Sequence, residues 1–366
     1  MPAPLHIIGL MSGTSMDGVD AVLARFEGGR PLAIAQASIP YPDALRAECL
    51  ALNLACADEL HRAALAGNAV AGLYAQAVAA VLSASGLRPA EIAALGAHGQ
   101  TIRHRPETGY TVQVLNGARL AEKTGIKTIC DFRSRDIAAG GQGAPLAPAF
   151  HAAVFADPAK SSVILNLGGI ANVTVLKPGG NAVTGFDTGP ANVLLDMWCE
   201  RCTGARFDPD GAFATAGEII PAMLAAMRAE PFFAAPPPKS TGRDLFSPAW
   251  LACFEPEAHR PQDVQATLMA LTVATVAENI RDHAGHVDEV LVCGGGALNG
   301  ALMRALQAAL APARVASTAG LGIDPMSVEA LAFAWLAWRT LHGLPGNLAE
   351  ATGAQGPRVL GAIHAA

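Results

Sequence analysis

One pattern of strands and turns occurs twice along the chain. A strand from His6 to Leu10 enters a turn rich in glycine and serine, a second strand runs from Val19 to Phe26, and after Gly28 and Gly29 a third ends near Tyr41. The same order returns as Ser162 to Leu167, a turn at Gly168 and Gly169, Ala171 to Leu176, a turn at Pro178 to Gly180, and a third strand into Gly185, Phe186 and Asp187. Identity between the copies is slight. The argument for duplication is the shared order of strand, glycine turn, strand, turn, strand. Each meander is followed by helical and short buried-strand patterns. In the first half these are a helix over Ala69 to Ser83 and strands at Ala93 to Ala97 and Ile126 to Cys130. In the second they are helices over Val264 to Asp282 and Ala297 to Leu310 around a strand at Glu289 to Cys293. Strands that alternate with helices pair in parallel, so an α/β fold with mixed sheets flanked by helices is expected.

A chain of 366 residues exceeds the ~100 to 200 of one domain, and each half is long enough to bury a core. The expected division is 1–140, joined by a returning C-terminal helix within 325–366, and 141–324. The glycine-rich segment Asp136 to Pro145 reads as a hinge, and Asp324 with Pro325 as a helix N-cap followed by proline at the first helical position. A net charge of -6, with lysine and arginine scattered, leaves no electrostatic footprint for nucleic acid or an anionic membrane. The N-terminus has no basic region, and no uninterrupted apolar run approaches ~20 residues, so a cytoplasmic location without a membrane partner is expected. Seven cysteines suit reduced thiols better than a disulfide framework, and Cys199 and Cys202, lacking a second pair, read as buried thiols. Oligomeric state, a homodimer included, is left open.

Between its strands the turn from Met11 to Gly18 carries two glycines and four hydroxyl or carboxylate side chains. Successive amides in such a turn form a concave anion site that glycine lets a phosphate approach; a plain polar hairpin loop is the alternative. Asn166 to Asn172 is a second turn of the same kind. Gly294 to Asn299 follows a strand and opens a helix, which suits a phosphate or the flat face of adenosine, or simply a tight connection. It fails the dinucleotide pattern at Asn299, and no P-loop motif occurs. Asp187 closes a strand and could take a proton during in-line phosphoryl transfer, or bond its own backbone in an Asx-turn. Asp-Thr-Gly also fits an aspartic protease, whose chemistry needs two such carboxylates, and the chain has one copy. His98, Gln100, Arg133 and Arg135 follow strand ends where a substrate could lie, although structural hydrogen bonding suits His98 and Gln100 as well. Glu329 suits the first turns of a helix.

Taken in order over nearly the whole chain, Gly9 to Asp20, His98 to Thr101, Asp131 to Asp136, Gly140 to Pro145, Asn166 to Asn172, Gly185 to Asn192, Lys239 to Asp244 and Asp324 to Ala330 resemble the anhydro-N-acetylmuramic acid kinases. The strings MSGTSMDGVD, GAHGQT, LNLGGIAN and GFDTGPAN are specific in combination. The resemblance implies duplicated actin-like (ribonuclease H-like) domains with an active-site cleft between them, as in the superfamily of acetate and sugar kinases, heat-shock chaperones and actins. It implies an ATP-dependent reaction on 1,6-anhydro-N-acetylmuramate, in which water opens the anhydro bridge at C1 while O6 receives the γ-phosphoryl group. N-acetylmuramate 6-phosphate and ADP result, as cell-wall sugar recycling requires. Asp187 matches the residue that activates the water, and Gly13, Thr14, Ser15, Met16, Asp17, Gly18, Val19 and Asp20 match the ATP-phosphate segment. Asn166, Gly168, Gly169, Gly294 and Gly295, in the other two turns, complete the expected ATP site. His98, Gln100, Arg133 and Glu329 match positions that line the sugar. Mg²⁺ accompanies ATP with protein ligands unassigned, because many relatives in the wider superfamily carry aspartate where Asn166 stands. The rival reading is a non-catalytic or slowly hydrolysing ATP switch on the same scaffold.

Overall fold

β1 (Leu5–Met11), β2 (Gly18–Glu27) and β3 (Arg30–Pro40) form an antiparallel meander with Met11 opposite Asp20 and Gly18 opposite Pro40. β4 (Ala94–Ala97) pairs in parallel with β1, β5 (Gln100–Arg105) and β6 (Tyr110–Val114) make a separate hairpin, and β7 (Thr128–Cys130) pairs in parallel with β4. Ala362–His364 closes the sheet beyond β7. The meander then repeats as β8 (Ser162–Leu167), β9 (Ile170–Leu176) and β10 (Val183–Pro190), with β11 (Glu289–Cys293) parallel to β8 and β12 (Arg314–Ser317) parallel to β11. Numbered within each copy, both sheets have the order 3-2-1-4-5, which is the ribonuclease H-like arrangement. The computed structural model describes residues 4–13, 16–180, 183–243 and 245–366, and the chain divides into two compact units, Met1–Val154 with Ser327–Ala366, and Phe155–Met326.

In the first unit β1 is buried over its last five residues, whereas edge strand β3 alternates between exposed and half-buried. Continuous burial arises because helices cover both faces of the sheet. On one face lies the helix Glu59–Ser85, which starts about ten residues before the apolar pattern predicts because alanine blurs its period. Among the described residues it is the one helix long and apolar enough to cross a membrane, but Val70, Leu73, Tyr74, Val78 and Val81 are spent on the core. Across the other face runs the helix Val328–Leu341, close enough that a Cβ on Gly9 would sit 1.8 Å from Ala330 O, and one on Gly96 2.1 Å from Phe333 O. Glycine on the strands and alanine at 330, 334 and 337 on the helix permit that approach.

This helix starts three residues later than the Asp-Pro signal predicts. Asp324 Oδ1 accepts from Met326 N–H (2.8 Å), and Pro325 C=O accepts from Gly294 N–H (2.9 Å), so both form a turn instead. The segment read as a hinge is also tied down. Asp136 is fully buried, its Oδ2 accepts from Gly143 N–H (2.7 Å), and its Oδ1 accepts from Asn347 Nδ2 (2.6 Å) and Thr352 Oγ1 (2.8 Å).

The second core packs Val163, Leu165, Val173 and Val175 against Val276 and Ile280 of the helix Pro261–Ala284 and Leu302 and Leu306 of the helix Gly300–Leu310. The latter begins at Gly300, capped by Asn299 Oδ1 on Leu302 N–H (3.0 Å), because Gly295–Leu298 forms a 3₁₀ turn first. All seven cysteines are free thiols; Cys199 is buried as expected, but Cys202, three residues on in the helix Asn192–Thr203, is exposed.

Candidate active site

In the first unit the turn after β1 is held from behind. Met16 takes a left-handed conformation (φ 56°) with its side chain in the core, and its N–H donates to Gly13 C=O (3.2 Å). Asp17 stays exposed, with its C=O accepting from Tyr41 N–H (3.1 Å). Thr14 and Ser15 lie outside the described residues. Beneath the turn Ser12 Oγ and Tyr41 OH each donate to Gln100 Oε1 (3.1 Å for Tyr41) and lie 3.0 Å apart, and Gln100 Nε2 donates to Gly13 C=O (3.3 Å). Burial pushes the Tyr41 phenol far up, so it remains a donor. Gln100 is fully buried with its amide committed to this network, and Val19 is fully buried in the core. A ligand therefore meets neither side chain.

His98, 5% exposed, links this network to Arg133. Its Nε2 accepts from Arg133 Nε (3.1 Å) and Nη2 (3.0 Å), which leaves the ring proton on Nδ1, where it is donated to Ser12 C=O (3.2 Å). Burial, assisted by the Arg133 charge, holds the imidazole down to about 3, so it is neutral and cannot serve as an acid near pH 7. Arg133 Nη1 also donates to Gly143 C=O (2.8 Å). Burial lowers the guanidinium to about 10, against the pull of Glu329 and Asp136, and it stays charged. Glu329 is exposed, and crowding by the surrounding protein with the Asp20 carboxylate pushes it up, while Arg133 opposes them. Phe333, one helical turn beyond Glu329, packs against the His98 ring (centroids 4.8 Å). The structure thus brings Asp20, His98, Arg133 and Glu329 into one neighbourhood, while Arg135 is exposed and has no such partner among the described residues.

In the second unit the two glycine turns touch. A Cβ on Gly294 (φ 79°) would lie 2.5 Å from Asn166 Oδ1 and 2.8 Å from Leu167 O, so only glycine fits there. The start of the helix Asn192–Thr203 braces the Gly168–Gly169 turn: Asn192 N–H donates to Gly168 C=O (3.0 Å), Val193 N–H to Gly169 C=O (3.0 Å) and Asn192 Nδ2 to Leu167 C=O (2.9 Å). Asn166 is 9% exposed. Gly295 opens the 3₁₀ turn, with a Cβ there 3.5 Å from Asn192 Nδ2.

Asp187 stands on β10 opposite Asn172, next to a bulge before Gly189, where the strand bends and re-aims its side chains. Its N–H donates to Lys239 C=O (3.1 Å), and its Oδ2 accepts from Thr241 N–H (2.9 Å), 54 residues along the chain. The local Asx-turn alternative is thereby replaced by a long-range bond. Burial pushes the carboxyl up to about 6, although the Thr241 N–H opposes the rise. A half-buried carboxyl poised near neutrality, with one oxygen aimed by an amide, is equipped to accept a proton. Sequence reasoning missed the role of Tyr41, which follows from register; Ser12 lay inside the turn and Thr241 inside the segment Lys239 to Asp244, but neither was singled out.

The family model for anhydro-N-acetylmuramic acid kinase matches residues 5–366. The protein of that name from Nitrosospira multiformis is 52% identical over 363 residues, covering 99% of both chains. That from Cupriavidus pinatubonensis is 54% identical over 98% of this chain and 97% of its own, and that from Bordetella pertussis is 56% identical over 98% and 96%. On these matches, the chain belongs to the anhydro-N-acetylmuramic acid kinase family.

Proposed function

We propose that the chain is an ATP-dependent sugar kinase that hydrolytically opens 1,6-anhydro-N-acetylmuramate and phosphorylates O6. The observation that carries the mechanism is Asp187, held by Thr241 N–H with its carboxyl raised to about 6. In the ionised form it takes a proton from water as the water oxygen bonds to C1. The C1–O6 bond breaks, O6 bonds to the γ-phosphorus, and the bond to ADP breaks; the proton held by Asp187 then passes to solvent. In the first unit the main chain of Gly13 to Asp20 grips phosphate, and Arg133 and Glu329 meet the sugar. Gln100 and His98 hold those groups in place from behind. In the second unit Gly168, Gly169, Gly294 and Gly295 let the nucleotide approach the backbone.

Among the described residues no three His, Cys, Asp or Glu side chains cluster as a metal cage. Mg²⁺ commonly takes one or two carboxylates together with phosphates and water, and Asp20, a half-buried oxygen donor in the phosphate segment, fits that demand. When bound with ATP, Mg²⁺ would neutralise phosphate charge. Asn166, neutral and almost buried, is a poor substitute.

The deciding assay incubates the protein with ATP and the anhydro sugar. Sugar-dependent ADP release is expected, with a product heavier than the sugar by one phosphoryl group and one water; ADP release indifferent to sugar would favour the ATP switch. Because the base must be ionised, kcat should be flat above about pH 7 and fall about tenfold per pH unit well below about 6. A flat profile down to about pH 4.5 would remove Asp187 from that role. Gln100→Ala should leave the Ser12 and Tyr41 hydroxyls buried without their shared acceptor, costing about 1–3 kcal/mol. The expected readings are a lower melting temperature and a raised KM for ATP.

A further inference from the structure

The strap that crosses Asp187 is anchored on both sides. Lys239 Nζ donates to Phe232 C=O (3.3 Å) and Phe233 C=O (3.1 Å), and Gly242 C=O accepts from Phe246 N–H (3.1 Å). Phe246 is fully buried and stacks on Phe233 (centroids 5.6 Å). Thr241 is thus fixed between two anchors, with its amide on Asp187 Oδ2. Its hydroxyl is buried and has no hydrogen-bond partner among the described residues.

Burying a hydroxyl unpaired is unfavourable, and native proteins seldom tolerate it without a reason. Ser161 Oγ and Thr318 Oγ1 share this condition, but neither residue is bonded to a candidate reacting group. In threonine two bonds separate Oγ1 from Cα, which keeps it within roughly 4 Å of its own amide nitrogen. That nitrogen is 2.9 Å from the carboxylate, so the hydroxyl lies within about 7 Å of it, near the span that one bridging water covers. A water about to attack carbon needs such a second tether. With one O–H directed at the base, it still rotates about that bond, and another hydrogen bond fixes the direction of its lone pair.

We infer that Thr241 is the positioning residue for the attacking water: its amide aims the Asp187 carboxylate, and its hydroxyl takes the water's second hydrogen bond. The inference rests on Asp187 being the base. During the reaction Thr241 neither gains nor loses a proton overall.

Thr241→Val keeps the amide and the side-chain shape but removes the hydroxyl. Expected is a kcat roughly 10- to 100-fold lower, with KM for ATP and sugar and the acid limb near pH 6 unchanged and the melting temperature equal or higher, since an unpaired buried hydroxyl is removed. Thr241→Ser should restore most of the turnover. A valine variant within twofold of native kcat, or a loss that serine does not rescue, would overturn the role of the hydroxyl. An unchanged plateau with a displaced acid limb would overturn it too, since the hydroxyl would then act only on the basicity of Asp187. Asp187→Asn, measured alongside, separates the two readings: if it keeps native turnover the base assignment fails, whereas an inactive asparagine variant beside an unaffected valine variant overturns the Thr241 inference alone.

Discussion

Replacing Asp187 with asparagine should lower kcat by about a hundredfold to ten-thousandfold, the usual contribution of a positioned general base, while ATP and sugar still bind. The substitution preserves size and can still accept the Thr241 N–H bond, so lost turnover would report the lost proton acceptor. The same variant should be more stable than the native protein at neutral pH. In the folded chain the carboxyl is raised from 3.8 to about 6, so the folded state holds its proton more tightly than the unfolded state does. Stability therefore falls as pH rises through that window, and the penalty is fully present above it. Asparagine carries no such penalty. Melting curves near pH 7.5 should show a gain of about 2–4 °C per kcal/mol recovered, and curves near pH 3.5 almost none. Equal melting temperatures at both values would mean that burial does not burden this carboxylate.

Gly9→Ala should have the largest effect on folding. The new methyl group would lie 1.8 Å from Ala330 O and 2.6 Å from Ala334 N, and both are main-chain atoms of a helix that cannot swing aside. Either β1 or the helix Val328–Leu341 must move, at a cost at or above the roughly 3 kcal/mol upper range of ordinary overpacking. That is a large share of a typical domain's stability. Insoluble protein or a melting temperature lower by about 10 °C is the expected reading. Gly72→Ala is the matched control: nothing lies within 4 Å of its Cβ position, so it should stabilise the helix Glu59–Ser85 by about 0.5–1 kcal/mol. Similar behaviour of the two variants would show that close approach is not why β1 carries glycine.

Gly9 also shows where sequence reasoning stops. It stands in the same string as the phosphate segment, yet its lack of a side chain serves a helix more than 300 residues away. The repeated meander was legible because turn glycines and alternating strands are local signals, and Asp187 was legible because it sits on such a strand, although the strand runs past it through a bulge to Pro190. Ser12, Tyr41 and Gln100 meet only once β1, β3 and β5 are placed in space, and Thr241 reaches Asp187 from another segment altogether. The Asp324-Pro325 signal obeyed the capping rules but was defeated by Gly294, which takes the proline's carbonyl as a hydrogen-bond acceptor. No local pattern reports such a competitor.

The neutral His98 ring grips the carbonyl of Ser12 through one nitrogen and the guanidinium of Arg133 through the other. The imidazole therefore acts as a rigid strut between the turn after β1 and the arginine proposed to meet the sugar. Anything that shifts one end loads the other, so if the turn holds nucleotide and Arg133 the sugar, as proposed, the two ligands share a coupling free energy. If nucleotide tightens sugar binding through this strut, sugar must tighten nucleotide binding by the same factor.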